Sequence, residues 1–141
     1  MPTSNMASRQ AVVRFTATMA GLGQAGEALR ALLDTVNIDP SRRYQVELAL
    51  DEIVSNIIRH GQPVSAIELT AAIHREEAVL TFEDDGVAFD PRAHRKTRQP
   101  VSAEQMPIGG LGLTLVKSFV TRIEYERTPQ HNRLTLAIPL R

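Results

Sequence analysis

Glu52-Ile53-Val54-Ser55-Asn56-Ile57-Ile58-Arg59-His60-Gly61 is the stretch on which the reading of this chain turns. Glu52, Asn56 and His60 recur every four residues. In a helix each successive side chain then drifts by only about 40°, so the three form one polar stripe. Beside it run Val46, Ala49, Leu50, Ile53, Ile57 and Ile58. A carboxylate and an amide set in so apolar a helix need partners, because either one buried and unsatisfied costs about 1–3 kcal/mol. A reacting hydroxyl and a hydrated cation would supply them. A solvated stripe on a surface helix is the competing account.

Working outward, Asp39-Pro40-Ser41 predicts a cap with proline in the first turn of this helix, and Gly61 and Pro63 end it after His60. Upstream, Val13, Phe15 and Ala17 alternate with polar residues as in a half-buried strand. The apolar residues between Gly23 and Val36 have helical spacing, with Asn37 as the stop. Downstream, Ile67 to Ile73 and Ala78 to Phe82 read as a hairpin with a charged turn. Residues 86–110 carry Pro91, Pro100 and Pro107 and predict a long irregular loop. A helix from Leu111 to Val120 and strands over Arg122–Thr128 and Arg133–Leu140 follow. The order strand, helix, helix, strand, strand, loop, helix, strand, strand predicts an α+β fold. Its sheet is expected to be mixed and mostly antiparallel, with the helices on one face. Residues 1–10 lack periodicity and are expected to form a loose arm before a single domain over 11–141.

Two further features accompany the helix. In Glu83-Asp84-Asp85-Gly86 an apolar strand runs into acids and then a glycine, where a flat ligand can approach the backbone and an acid can accept from an exocyclic amine. Asp-Gly is also an ordinary turn signal. Gly109-Gly110-Leu111-Gly112 stands directly before a helix, where free amides and the positive end of the dipole favour phosphate. It also suits a plain hinge.

In order and spacing the three resemble the N, G1 and G2 boxes of the GHKL ATPases, from about Glu47 to Val120. The stretches Glu52 to Gly61 and Gly109 to Lys117 resemble more closely the serine-protein kinases that act as anti-sigma factors. The resemblance implies the Bergerat two-layer α/β sandwich, with ATP and Mg²⁺ as ligands. It makes Glu52 the base that accepts the substrate serine proton, Asn56 the magnesium ligand and Asp84 the partner of the adenine amine. Gly86 would pass close to the base, Gly110, Leu111 and Gly112 would wrap the phosphates, and Thr135 would support adenine through water. His60 would be structural, and the basic cluster Arg92, His94, Arg95, Lys96 and Arg98 falls where such proteins carry an ATP lid. A STAS-type antagonist as phosphoacceptor, a sigma factor as competing partner and a homodimer are implied in the same way. The second glycine of the G1 box is Ala88 here, which implies a stiffer lid hinge.

Other readings compete. Gly21-Leu22-Gly23-Gln24-Ala25-Gly26 matches the dinucleotide fingerprint, with Asp39 downstream. That fold needs a strand between helix and acid, and Asn37-Ile38-Asp39-Pro40 leaves no room for one. A domain that binds ATP, or sequesters a partner, without transferring phosphate has no need of Glu52 as a base. The ATPase half of a two-component histidine kinase would carry a phosphoacceptor on an upstream helix, and none is visible.

Composition narrows the classes. Sixteen basic residues balance sixteen acidic ones, which removes the broad positive field of nucleic-acid binders. Cysteine is absent, excluding disulfides and thiolate metal sites. Charges interrupt every apolar run before the roughly 20 residues that span a bilayer. With no signal-peptide pattern at the start, a cytoplasmic location is expected.

Overall fold

A computed structural model describes residues 9–93 and 110–141. Its elements are β1 (Arg9–Thr16), α1 (Met19–Leu33), α2 (Pro40–His60), β2 (Ala66–His74), β3 (Glu77–Asp84), a 3₁₀ turn (Pro91–Ala93), α3 (Gly110–Phe119), β4 (Arg122–Arg127) and β5 (Asn132–Pro139). The sheet has five strands in the order β1-β2-β3-β5-β4. All four pairings are antiparallel.

The sheet has one buried face because its strands alternate. Ile67, Leu69, Ala71 and Ile73 on β2 share that face with Ala78, Leu80 and Phe82 on β3 and Leu134, Leu136 and Ile138 on β5. The helices cover it. Leu29 and Leu33 of α1 and Val46, Leu50, Ile53 and Val54 of α2 belong to the same core, with Leu113 and Val116 of α3. Glu68, Thr70, Thr81, Glu83, Arg133 and Thr135 take the opposite parity, on the face away from the helices. No helix among the described residues is long and apolar enough to cross a membrane.

Boundaries differ from the sequence expectation where a side chain or a close approach intervenes. α1 starts at Met19 rather than Gly23, because the Thr18 hydroxyl caps it by accepting from Gly21 N at 3.1 Å. It stops at Leu33 rather than Val36. There the Thr35 hydroxyl and amide both take the Leu32 carbonyl, at 2.6 and 3.0 Å, and tighten the chain into a turn. Asp39 is the N-cap residue of α2, but its side chain makes no capping bond. The Asp39 amide instead donates to Leu140 O at 2.9 Å, tying the helix start to the end of β5. β1 begins at Arg9, four residues before the expected Val13.

The dinucleotide-like motif has a packing explanation. Gly21, Gly23 and Gly26 all lie inside α1. β1, which precedes them, pairs antiparallel with β2, and α1 leads directly to α2, so no parallel strand-helix-strand unit exists among the described residues. A Cβ on Gly21 would overlap the Thr16 carbonyl, whereas one on Gly23 would meet nothing within 4 Å. Gly21→Ala is therefore expected to destabilise by about 1–3 kcal/mol through overpacking. Gly23→Ala should gain up to about 1 kcal/mol in helix propensity. Urea unfolding of the two variants measures both, and equal effects would refute the packing account.

Candidate nucleotide site

Antiparallel pairing of β3 with β5 sets Asp84 opposite Asn132 at the edge of the buried face. α2 crosses the same end of the sheet and brings Asn56 to it. The three are 5 %, 4 % and 5 % exposed for Asp84, Asn132 and Asn56, and they are the buried polar residues of the described chain. With Ile53, Ile57, Gly61, Phe89, Pro91, Tyr125 and Leu134 they enclose a small cavity of about 20 Å³. That volume admits a single water.

Asp84 is held rather than merely buried. Its Oδ1 accepts from Gly86 N at 2.8 Å and from Asn132 Nδ2 at 3.0 Å. Its Oδ2 accepts no hydrogen bond among the described residues and remains available for an exocyclic amine. Asn132 is oriented in turn. Its Oδ1 accepts from the Tyr125 hydroxyl and from Phe89 N at 3.3 Å, while Nδ2 also donates to Val87 O at 2.8 Å. Burial of the Tyr125 phenol raises its pKa and keeps it a donor.

One glycine lets the loop after β3 meet the end of α2. Val87 N donates to Gly61 O at 3.0 Å, and a Cβ on Gly86 would overlap that carbonyl. The chain after β3 thus lies directly on the end of α2. Arg127 Nη1 donates to Gly86 O at 2.9 Å from the far edge strand, fixing the same turn. His60 stacks on Phe89 at 5.1 Å with 19° between the rings, which places it beneath the loop as a packing residue.

Asn56 resolves the choice left open for the α2 stripe. A solvated surface stripe would expose it, yet its Nδ2 is buried without a partner among the described residues. A group in the adjoining space is what such an orphaned amide calls for. That amide nitrogen is a donor and calls for an acceptor such as a water or phosphate oxygen, a cation being held only through Asn56 Oδ1, while the free oxygen of Asp84 fits the amine of an aminopurine.

Glu52 lies one turn of α2 back toward its start, and its carboxylate meets α3 at Gly112: a Cβ built there would overlap both carboxylate oxygens. Gly110 and Leu111 form the first two residues of α3. Gly109 and the cations His94, Arg95, Lys96 and Arg98 lie outside the described residues. Arg92 is described and is not free for phosphate. Its guanidinium grips Asp90, with Nη2 at 2.8 Å from Oδ2, and lies 5.8 Å from the centre of the Tyr125 ring. Asp90 has its pKa lowered chiefly by that hydrogen bond.

Thr135 is not brought to the site. Strand parity turns it to the opposite face, where its hydroxyl lies 3.4 Å from that of Thr81. The residues of these strands that do reach the site, Asn132 and Tyr125, were missed in the sequence reading. Asn132 has the parity of Leu134, Leu136 and Ile138, which was the signal available for it.

Comparison with known proteins follows the same lines. The profile of the histidine kinase-like ATPase domain matches residues 15–138. This chain belongs to that family. The serine/threonine-protein kinase BtrW of Bordetella bronchiseptica is 35% identical over 98 residues, spanning 67% of this chain and 68% of BtrW. The serine-protein kinase RsbW of Listeria monocytogenes is 26% identical over 86 residues, or 56% of this chain and 55% of RsbW. The chain thus spans little more than half of RsbW. Among structures, the RsbU and RsbW domains of a Mycobacterium tuberculosis protein share the fold with a TM-score of 0.66 at 17% identity, covering 94% of this chain and 32% of that one. A histidine kinase domain from Erythrobacter litoralis gives a TM-score of 0.50 at 16% identity, covering 86% of this chain and 60% of that one. Its curated relatives are therefore protein-serine kinases on a histidine kinase-like ATPase fold.

The other acids at the end of β3 have separate work. Glu83 faces Arg133 at 3.5 Å. Asp85 accepts from Ser65 N at 2.9 Å and from the Ser65 hydroxyl, clasping the start of β2. Those bonds lower its pKa from 3.8 to about 2. A carboxylate with a depressed folded pKa stabilises the fold above its unfolded pKa and loses that contribution as the pH falls. Acid titration of the melting temperature should show the loss between pH 3.8 and about 2, with Asp85→Asn flattening the curve there. An unchanged acid limb in the variant would refute the clasp.

Proposed function

We propose that this chain is an ATP-dependent protein-serine kinase that phosphorylates a STAS-type antagonist and acts as an anti-sigma factor in a partner-switching circuit. The observation that carries the reading is the placement of three residues: Asp84 with a free oxygen and Asn56 at one cavity, and Glu52 one turn back along α2 beside the first turn of α3. Base recognition, cation binding and phosphate binding need those groups in that order.

Asp84 Oδ2 accepts from the adenine amine while Oδ1 stays tied to Gly86 and Asn132. Asn56, through Oδ1, would hold Mg²⁺, which would neutralise charge on the phosphates. Amides at the start of α3, from Gly110, Leu111 and Gly112, receive the phosphate oxygens. Glu52 takes the proton of the acceptor serine as that oxygen attacks the γ-phosphorus. The bond to the β,γ-bridging oxygen breaks and ADP leaves with that electron pair. The kinase names of the relatives support transfer to protein; the sigma factor as competing partner, and dimerisation, rest on the family resemblance.

Calorimetric titration of ATP with Mg²⁺ and a phosphate-transfer assay on STAS-type proteins test the two halves. Asp84→Asn should weaken ATP binding by roughly 10- to 100-fold, the worth of a hydrogen bond to a charged group. Glu52→Gln should retain ATP binding and lose about 10²–10⁴-fold in transfer. ATP binding without any transfer by the wild type would leave an ATP-binding regulatory module, and absence of ATP binding would overturn the reading.

A further inference from the structure

Gly112 stands where a glycine is not required by its backbone. It is the third residue of α3, inside the helix, and has no left-handed φ. In such a position alanine is the better helix former. Its peptide N–H would also survive a change to alanine, so a phosphate contact through that amide makes no demand for glycine either.

What a Cβ would meet is the end of the Glu52 side chain. The three nearest atoms to a Cβ built on Gly112 are Glu52 Oε2, Cδ and Oε1, all within overlap distance. No backbone atom ranks among them. The obstruction would therefore be relieved by swinging a flexible carboxylate away, not by parting α2 from α3. Gly86 is the contrast, since a Cβ there would strike the carbonyl of Gly61.

We infer that Gly112 is a positioning residue for Glu52: the bare Cα on α3 forms the seat of the carboxylate and holds it beside the proposed phosphate site. This deepens the assignment of Glu52 as the base, on which its catalytic meaning rests. The α3 glycines then divide their work. Gly110 stands at the helix start, whereas Gly112 fits the shape of a residue from another helix.

The test crosses Gly112→Ala with Glu52→Asp and Glu52→Ala, reading thermal unfolding, ATP·Mg²⁺ affinity and phosphate transfer to a STAS-type protein. Gly112→Ala should fold, and any change in its ATP·Mg²⁺ affinity should be small beside its loss in transfer. It should lose roughly 100-fold in transfer, the usual consequence of a catalytic group displaced by about 1 Å. In the Glu52→Asp background, where the side chain is one methylene shorter, the same substitution should cost much less. In the Glu52→Ala background it should raise the melting temperature by more than it does in the wild type, because helix propensity is then gained without a displaced carboxylate. Equal effects of Gly112→Ala in all three backgrounds, or a loss of ATP affinity with no dependence on residue 52, would overturn the seat. Thermal coupling between the two positions, with transfer insensitive to Glu52→Ala, would keep the seat and refute Glu52 as the base.

Discussion

Asp84 puts a carboxylate at the end of a sheet where almost no water reaches it, and the surrounding structure is arranged around that constraint. A buried charge left without donors would be neutralised or expelled. Here the Gly86 amide and the Asn132 side chain both serve one oxygen. Each of those donors is itself positioned. Gly86 lies against Gly61 and receives Arg127 at its carbonyl, and Asn132 is pinned by Tyr125 and by the amide of Phe89. The β3 terminus, the loop after it, the last two strands and the end of α2 therefore depend on one another through a single acid.

This dependence explains the glycines better than flexibility does. Gly86 occurs where two segments of main chain come within hydrogen-bonding range, and Gly21 where α1 folds back on the end of β1. In each place a side chain would hold the backbones apart. In the early glycine cluster a Cβ on Gly23 would meet nothing within 4 Å and one on Gly26 only the guanidinium of Arg30, so the resemblance of that cluster to a dinucleotide fingerprint comes from one packing glycine and its neighbours.

Much of this was legible beforehand where a period extends over many residues. α2 was delimited correctly from Pro40 to His60 because its apolar stripe, its proline and its closing glycine agree. The strands were recovered from their alternation, and the three polar signals on α2, β3 and α3 were placed in order. What escaped depends on contacts distant in sequence. The family resemblance points to Thr135, but the alternation of β5 places Asn132 and not Thr135 on the face of Asp84, which shows only when parity is counted from Leu134 and Leu136. Arg92 belongs by sequence to the basic run placed at the lid, and its pairing with Asp90, two residues away, shows only in the structure. The early start of α1 was hidden because glycines at 21 and 23 lower helix propensity, while the cap from Thr18 and the fit against Thr16 outweigh it.

The two ends of the proposed site are restrained by different physics. At the Asp84 end a closed set of hydrogen bonds fixes the acceptor, and such a set tolerates little change because each lost donor strands another buried group. At the Glu52 end the restraint is shape: a flexible side chain lies against a Cα that has nothing to push it away. Under the proposed function, hydrogen bonds of the first kind would set how well a base is recognised before any reaction. Steric seating of the second kind would set where a proton acceptor stands when a hydroxyl arrives, which affects the transition state more than the bound ground state. Recognition and transfer could then change separately on this fold. A change at Gly112 would act mainly on the second, and a change at Asn132 first on the carboxylate of Asp84.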